Sequence, residues 1–371
     1  MKLSQVMAQI ETWAPPQLQE SYDNSGLLVG NPDMRVLGIM TTLDCTEAVV
    51  EEALEKGCNL IVAHHPVIFS GLKKLTPDDY VGRTVMLAIR HNIALYAAHT
   101  NLDVIQSGVN KRLAEVLGLQ NPQILRPRSS ELRKLVCYIP DIKLSNGEMA
   151  VEKVRQALFE AGAGNISNYD QCSFGMPGTG TFRPQDNANP YLGQTGVREE
   201  AQEYRVEVIY PRYKEAPILR AMEEAHPYEE VAHDILPLTN AHPQIGAGMI
   251  GEWSKPMVET DFLAQIKEKL QAQGLRHSPC REKVVHRVAI CGGAGFFLLK
   301  DALGAQADAF VTSDLKYHQF FDADGKILLV DPGHYETEQY TVDLLFDKLT
   351  ALFPNFAILK CSQNTNPVNH F

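Results

Sequence analysis

Between Val36 and Leu117 the chain alternates short apolar runs with amphipathic stretches three times over. Val36 to Leu43, Asn59 to Ala63 and Ile93 to Ala98 have the length and apolar character of buried strands. Thr46 to Lys56, Gly82 to His91 and Val109 to Leu117 have helical period, and Gly57 and Gly118 close the first and the last of them. Parallel neighbours need a long crossover connection, so this order predicts a largely parallel sheet with helices on its faces. Ligands of such open sheets gather beyond the carboxyl ends of the strands.

The pattern breaks at Pro122-Gln123-Ile124-Leu125-Arg126-Pro127, which reads as a linker. The next segment has a different rhythm. Leu132 to Ile139 reads as a strand. Ser145 to Glu160 reads as a helix with a capping box from Ser145 to Glu148. Residues 163 to 200 have the composition of loops and hairpins. Glu203 to Tyr210 alternates as a half-buried strand, Ala216 to Ala225 is a helix, and Val231 to Leu238 is a further strand. This β-α-β-β-α-β order predicts a small α+β, ferredoxin-like insert over residues 129–240.

After Pro243 the strand–helix alternation returns, with a helix at Asp261 to Gln271 and strands at Arg287 to Cys291, Ala309 to Thr312 and Ile327 to Val330. A helix starts at Gly295 to Ala302, a long one runs from Glu336 to Phe353, and Phe356 to Leu359 closes the sheet. The expected architecture is thus an α/β protein of two similar halves, 1–128 and 241–371, interrupted by the insert.

The chain has 371 residues, enough for two or three domains at roughly 150 residues each. A net charge of −11 argues against a surface made for nucleic acid or anionic membranes. No apolar run approaches the roughly 20 residues needed to span a bilayer, and Met1 to Trp13 reads as an amphipathic helix rather than a secretory signal. Seven scattered cysteines without C-x-x-C spacing read as reduced thiols of a cytoplasmic protein.

Three strand ends carry metal-ligating side chains. The run Leu60-Ile61-Val62-Ala63 ends in His64-His65-Pro66, the third strand runs into His99-Thr100-Asn101-Leu102-Asp103, and Leu329-Val330 leads to Asp331-Pro332-Gly333-His334 and on to Glu338. Imidazole suits zinc, iron, copper and nickel. His334 and Glu338, four apart at a helix start, share one helix face. Neighbouring side chains of an extended segment point apart, and Pro66 biases His65 towards that geometry. Two diverging imidazoles suit two ions side by side better than one, and His64, His65, Asp103, His334 and Glu338 supply three imidazoles and two carboxylates for such a pair. The plainer reading of His64-His65 is a hydrogen-bonded strand-end pair. Glu336 reads as an ordinary acid at a helix entry.

His99 and His318, near the same sheet edge, are candidates for proton transfer, and His99 also for orienting a ligand or a water. Cys291-Gly292-Gly293-Ala294-Gly295 reads as a tight strand-to-helix turn, with phosphate binding at the helix start as the sharper alternative. Asp23-Asn24-Ser25-Gly26 reads as a turn that could contact the site. Ala225-His226-Pro227-Tyr228-Glu229-Glu230 reads as a helix-to-strand turn, with metal binding or a subunit contact as alternatives.

Taken together, Asp23-Asn24-Ser25-Gly26-Leu27, His64-His65-Pro66, His99-Thr100-Asn101-Leu102-Asp103, Gly292-Gly293-Ala294-Gly295, Thr312-Ser313-Asp314 with His318, and Gly333-His334 with Glu338 resemble the NIF-three-like family, whose members are often labelled GTP cyclohydrolase 1 type 2 homologue. The resemblance implies a dinuclear metal centre at His64, His65, Asp103, His334 and Glu338, holding two divalent ions such as zinc, iron or manganese. It implies two similar α/β halves, a toroid-like homohexamer with sites facing an internal cavity, and an insert similar to PII and CutA proteins. Members have been linked to hydrolysis, transcriptional regulation and metal handling. The expected function is therefore a metal-dependent hydrolase acting through an activated water on a nucleotide or another phosphate-containing small molecule. The alternative is a non-catalytic protein that handles metal or senses a ligand.

Overall fold

The computed structural model describes residues 1–370. It divides into two compact units: residues 1–126 with 244–371, and residues 127–243. The second unit is slightly longer than the 129–240 expected from sequence. Its boundaries fall inside two strands, Leu119–Ser129 and Ala241–Val258. The stretch 122–127, expected to be a linker, is thus strand. Pro122 and Pro127 are tolerated because Leu119–Ser129 lies at the edge of its sheet, where a missing N–H breaks no ladder.

The first unit contains two sheets. One has five strands in the order Gly26–Val29, Ala94–Ala97, Leu60–Ala63, Ile39–Thr42, Ile358–Lys360. All neighbours are parallel except the first pair. The three inner strands are buried along their whole length, as parallel strands covered on both faces must be. Met40, Ile61 and Leu95 from these strands pack with Val49, Val50 and Ala53 of helix Glu47–Glu55 and Val85 and Ala88 of helix Tyr80–Arg90. The C-terminal strand Ile358–Lys360 was expected to close the second half. It pairs instead with Ile39–Thr42, so the end of the chain completes the first sheet.

The second sheet runs Arg276–His277, Leu328–Asp331, Ala309–Val311, Val284–Ile290, Ala241–Val258, Leu119–Ser129. Its three middle parallel strands are Val284–Ile290, Ala309–Val311 and Leu328–Asp331. Val288, Ile290, Val311 and Val330 face one core, while Ala289, Phe310 and Leu329 face another. That alternation is the two-residue period of a strand buried on both sides. The long helix expected over 336–353 is broken into His334–Glu338 and Thr341–Leu352. At the break, Gln339 Nε2 donates to Leu270 O and Tyr340 Oη to Lys269 O, tying it to the end of helix Glu259–Lys269.

The second unit is a four-stranded antiparallel sheet ordered Ser173–Phe182, Glu199–Pro211, Leu132–Pro140, His233–Leu238, with helices Ala150–Glu160 and Glu215–Ala225. Leu135, Cys137, Ile139, Val206 and Val208 form its core with Val154, Leu158, Ile218 and Met222. The capping box expected at Ser145 does not form. Asn146 Oδ1 accepts from Glu148 N and Gly147 takes φ 87°, so these residues make a turn and the helix starts at Ala150.

No helix among the described residues is long and apolar enough to cross a membrane. All seven cysteines are free, four of them buried. Phe310, fully buried in the second sheet, anchors its core. Phe310→Ala is expected to cost about 3–5 kcal/mol in urea denaturation. Phe174→Ala, at a ring that is 63% exposed, is expected to stay within about 0.5 kcal/mol.

Candidate metal centre

The carboxyl ends of the parallel strands in both sheets deliver side chains to one place. Leu60–Ala63 ends at His64-His65, Ala94–Ala97 leads to His99, and the short helix Thr100–Asp103 ends in Asp103. From the other sheet, Leu328–Asp331 leads to helix His334–Glu338. Gly333 precedes that helix with φ 113°, and a Cβ there would strike the Glu336 carboxylate.

Glu338 is the hub. It is buried, and its Oε2 lies 2.9 Å from His65 Nε2, 2.9 Å from His334 Nε2 and 3.9 Å from His64 Nε2. His64 Nε2 is also 3.6 Å from Asp103 Oδ1. Two triads result, His65–His334–Glu338 and His64–Asp103–Glu338, and Glu338 belongs to both. His64, His65 and His99 make a third group.

The adjacent histidines were expected to diverge as in an extended strand. The chain bends at both, because the strand has ended at Ala63. Their Nδ1 atoms do part company, each towards a different flanking strand: His64 to Ala98 O at 2.8 Å and His65 to Asp44 Oδ1 at 2.7 Å. Their rings stay 4.8 Å apart, and both Nε2 atoms turn towards Glu338.

Outside this ring of donors stands a second ring of acceptors. His65 Nδ1 pairs with Asp44, His334 Nδ1 with Asp314 and His99 Nδ1 with Asp23, each at 2.7 Å. Such partners fix the tautomer and the ring plane of a metal-binding imidazole. Asp23 is itself held by the Ser25 hydroxyl and by the backbone N–H and hydroxyl of Thr100. Sequence reading missed Asp44 altogether. Its one signal was a position two residues past the strand Ile39–Thr42, on the same edge as His64 and His99.

The electrostatics divide the three imidazoles around Glu338. Burial holds His64 down to about 3, against the pull of Glu338, so it is neutral. A carbonyl only accepts, so the His64 proton sits on Nδ1 and Nε2 is a bare lone pair. That atom and Asp103 Oδ1, 3.6 Å apart, are both buried without a hydrogen-bond partner. Burial also opposes charge on His65 and His334, but the bonds to Asp44 and Glu338 raise His65 to about 10, and those to Asp314 and Glu338 raise His334 to about 11. Burial and the nearby Glu338 push Asp103 well above the usual carboxylate range. Glu338 lies well below it despite burial, held by His334 and His65.

Other sequence candidates resolve differently. His318 is exposed on the 3₁₀ helix Tyr317–Ala323, packed against Tyr317 and Phe321 and outside the side chains that meet at Glu338. The three glycines of the turn spend their N–H groups inside the fold. Gly292 N donates to Asn110 Oδ1, Gly293 N to Thr337 Oγ1 and Gly295 N to Thr312 Oγ1. Its role is close approach, since a Cβ on Gly293 would lie 2.4 Å from Glu338 Oε1. His226 spends both ring nitrogens on backbone, Nε2 on Tyr138 O and Nδ1 on Tyr228 N, and is part of a turn.

Comparison with known proteins identifies the family of the chain. The family model Duf34/NIF3 (NGG1p interacting factor 3) matches residues 1–367. A Halalkalibacterium halodurans protein named GTP cyclohydrolase 1 type 2 homolog is 39% identical over 332 residues, 89% of this chain and 87% of its own. The Bacillus subtilis protein of the same name is 38% identical over 350 residues, 94% of this chain and 92% of its own. The crystal structure of a Bacillus cereus protein related to NIF3 superposes with a TM-score of 0.85 at 37% identity, over 100% of this chain and 99% of that one. The chain belongs to the Duf34/NIF3 family.

Proposed function

We propose that the cluster around Glu338 holds two divalent metal ions and that the protein is a metal-dependent hydrolase. The observation that carries this reading is the pair of triads sharing Glu338, with His64 Nε2 and Asp103 Oδ1 buried and unpartnered. Buried polar atoms left without partners are costly, and a cation bound between these two would satisfy both. His64 and Asp103 would serve one ion, His65 and His334 the other, and Glu338 both, as a carboxylate does in dinuclear hydrolytic sites. The mixed nitrogen and oxygen donors fit zinc, iron or manganese alike.

Ions bound there would supply Lewis acidity and a water acidified towards neutrality. The chain's own contribution is orientation and proton handling. Asp23 is held ionised by its hydrogen bonds despite burial, so His99 Nδ1 donates to it and Nε2 is left to take or give a proton beside His64 and His65. Proton transfer is therefore assigned to His99; none of His318's contacts in this chain supports giving it that role. The relatives' name makes GTP, another nucleotide or a phosphodiester the first substrates to test. The β-α-β-β-α-β order of the second unit supports reading it as a ferredoxin-like insert of the PII/CutA kind. A homohexamer remains part of the proposal.

Wild-type protein is expected to bind zinc or manganese in calorimetric titration, and Glu338→Ala to lose at least about 100-fold in affinity, since both triads lose their shared member. Equal affinity in the two would place the metal elsewhere. The pH dependence has a definite sign. With His65 and His334 raised to about 10 and about 11, the metal-free chain carries protons on both at neutral pH. A cation must displace them, so affinity is expected to fall as pH falls from 9 to 6, with net proton release on uptake. Titrations in buffers of different ionisation enthalpy check this, and zero release would contradict it. Metal-loaded protein is expected to hydrolyse GTP or a phosphodiester. His65→Ala and Glu338→Ala should each abolish that activity; activity unchanged in both would identify a contaminant.

A further inference from the structure

The C-terminal segment after the strand Ile358–Lys360 runs across the candidate metal centre. Cys361 N is bonded to Thr41 O, and Ser362 donates through its N–H and its hydroxyl to the buried carboxylate of Glu52. From this anchor the chain reaches the two histidine turns in succession. Thr365 Oγ1 donates to Asp44 Oδ2 at 2.8 Å, while the other oxygen of the same carboxylate holds His65 Nδ1 at 2.7 Å. Asn366 Nδ2 donates to Glu336 Oε1 at 3.2 Å. The second oxygen of Glu336 lies over Gly333, just before His334. Asn366, Pro367, Val368 and His370 then form one wall of a cavity of ≈580 Å³ whose other lining includes His65, His334 and Tyr335.

His65 comes from the first sheet and His334 from the second. On the inner side they share a bond to Glu338, and their rings meet edge to face at 5.3 Å. The C-terminal segment adds a second link on the outer side of the same rings. We propose that this segment is a working part of the site: Thr365 is a positioning residue that fixes Asp44 and through it the plane of His65, and Asn366, Pro367, Val368 and His370 wall the cavity from which substrate would reach the metal. The inference rests on reading the Glu338 cluster as a metal centre.

The hydroxyl of Thr365 is the point at which to test it. Thr365→Val removes the donor at nearly constant volume, and Thr365→Ser restores it. Zinc affinity of wild type and both variants is measured by competition with a chromophoric chelator, alongside urea denaturation of the metal-free chains. Cobalt-loaded samples of each add the visible spectrum as a report on ligand geometry. Thr365→Val is expected to bind about tenfold more weakly with an altered cobalt spectrum, Thr365→Ser to match wild type, and all three to share one denaturation midpoint. Unchanged affinity and spectrum in Thr365→Val would overturn the positioning role. Equal weakening in Thr365→Val and Thr365→Ser, together with a lowered midpoint, would overturn it in favour of simple packing. Wild type that binds no metal would instead overturn the reading of the cluster itself. For the wall, Asn366→Ala is expected to speed extraction of bound zinc by a bulky chelator severalfold; an unchanged rate would contradict the assignment of this segment as a boundary of the cavity.

Discussion

One buried carboxylate, that of Glu338, organises the centre of this molecule. It is approached by three imidazoles from two different sheets, and it is ionised in a place where an isolated charge would be very costly. Each neighbouring element is shaped by that requirement. Gly293 lacks a side chain because Glu338 fills the space one would need. Helix His334–Glu338 presents His334 and Glu338 on one face at a spacing of four. Thr337, between them, uses its hydroxyl to accept from Gly293 N and to donate to His334 O, binding the glycine turn to the helix.

The parallel strands of the two sheets explain how residues 273 positions apart meet at 2.9 Å. Each sheet collects its polar strand ends at a single edge. The acids that hold the histidines are drawn from the same edges: Asp44 follows one strand of the first sheet, and Asp314 follows Ala309–Val311 of the second. The buried inner strands therefore bring the histidines and the acids that hold them to one edge. The C-terminal segment reaches this assembly because its last strand belongs to the first sheet and not the second.

Much of this was legible in the residues. Short apolar runs separated by helical stretches announced parallel sheets, and ligating side chains at three strand ends announced a site. His64, His65, Asp103, His334 and Glu338 meet as that pattern suggested. What escaped were features whose signal is three-dimensional. Asp44 is a lone acid in an ordinary turn until the neighbouring strand brings His65 beside it. The prolines of 122–127 signalled a break, but an edge strand tolerates them. The destination of Ile358–Lys360 could not be read from its own residues, since a strand of three residues fits either sheet. Adjacent histidines were judged by strand geometry, and the strand had already ended.

The most direct test of a two-ion centre built on Glu338 is anomalous diffraction at metal absorption edges, from crystals of protein purified without chelator. The account requires two peaks, one beside His64 and Asp103 and the other beside His65 and His334, with Glu338 between them. No peak at these residues, or metal bound only at some other part of the chain, would contradict it.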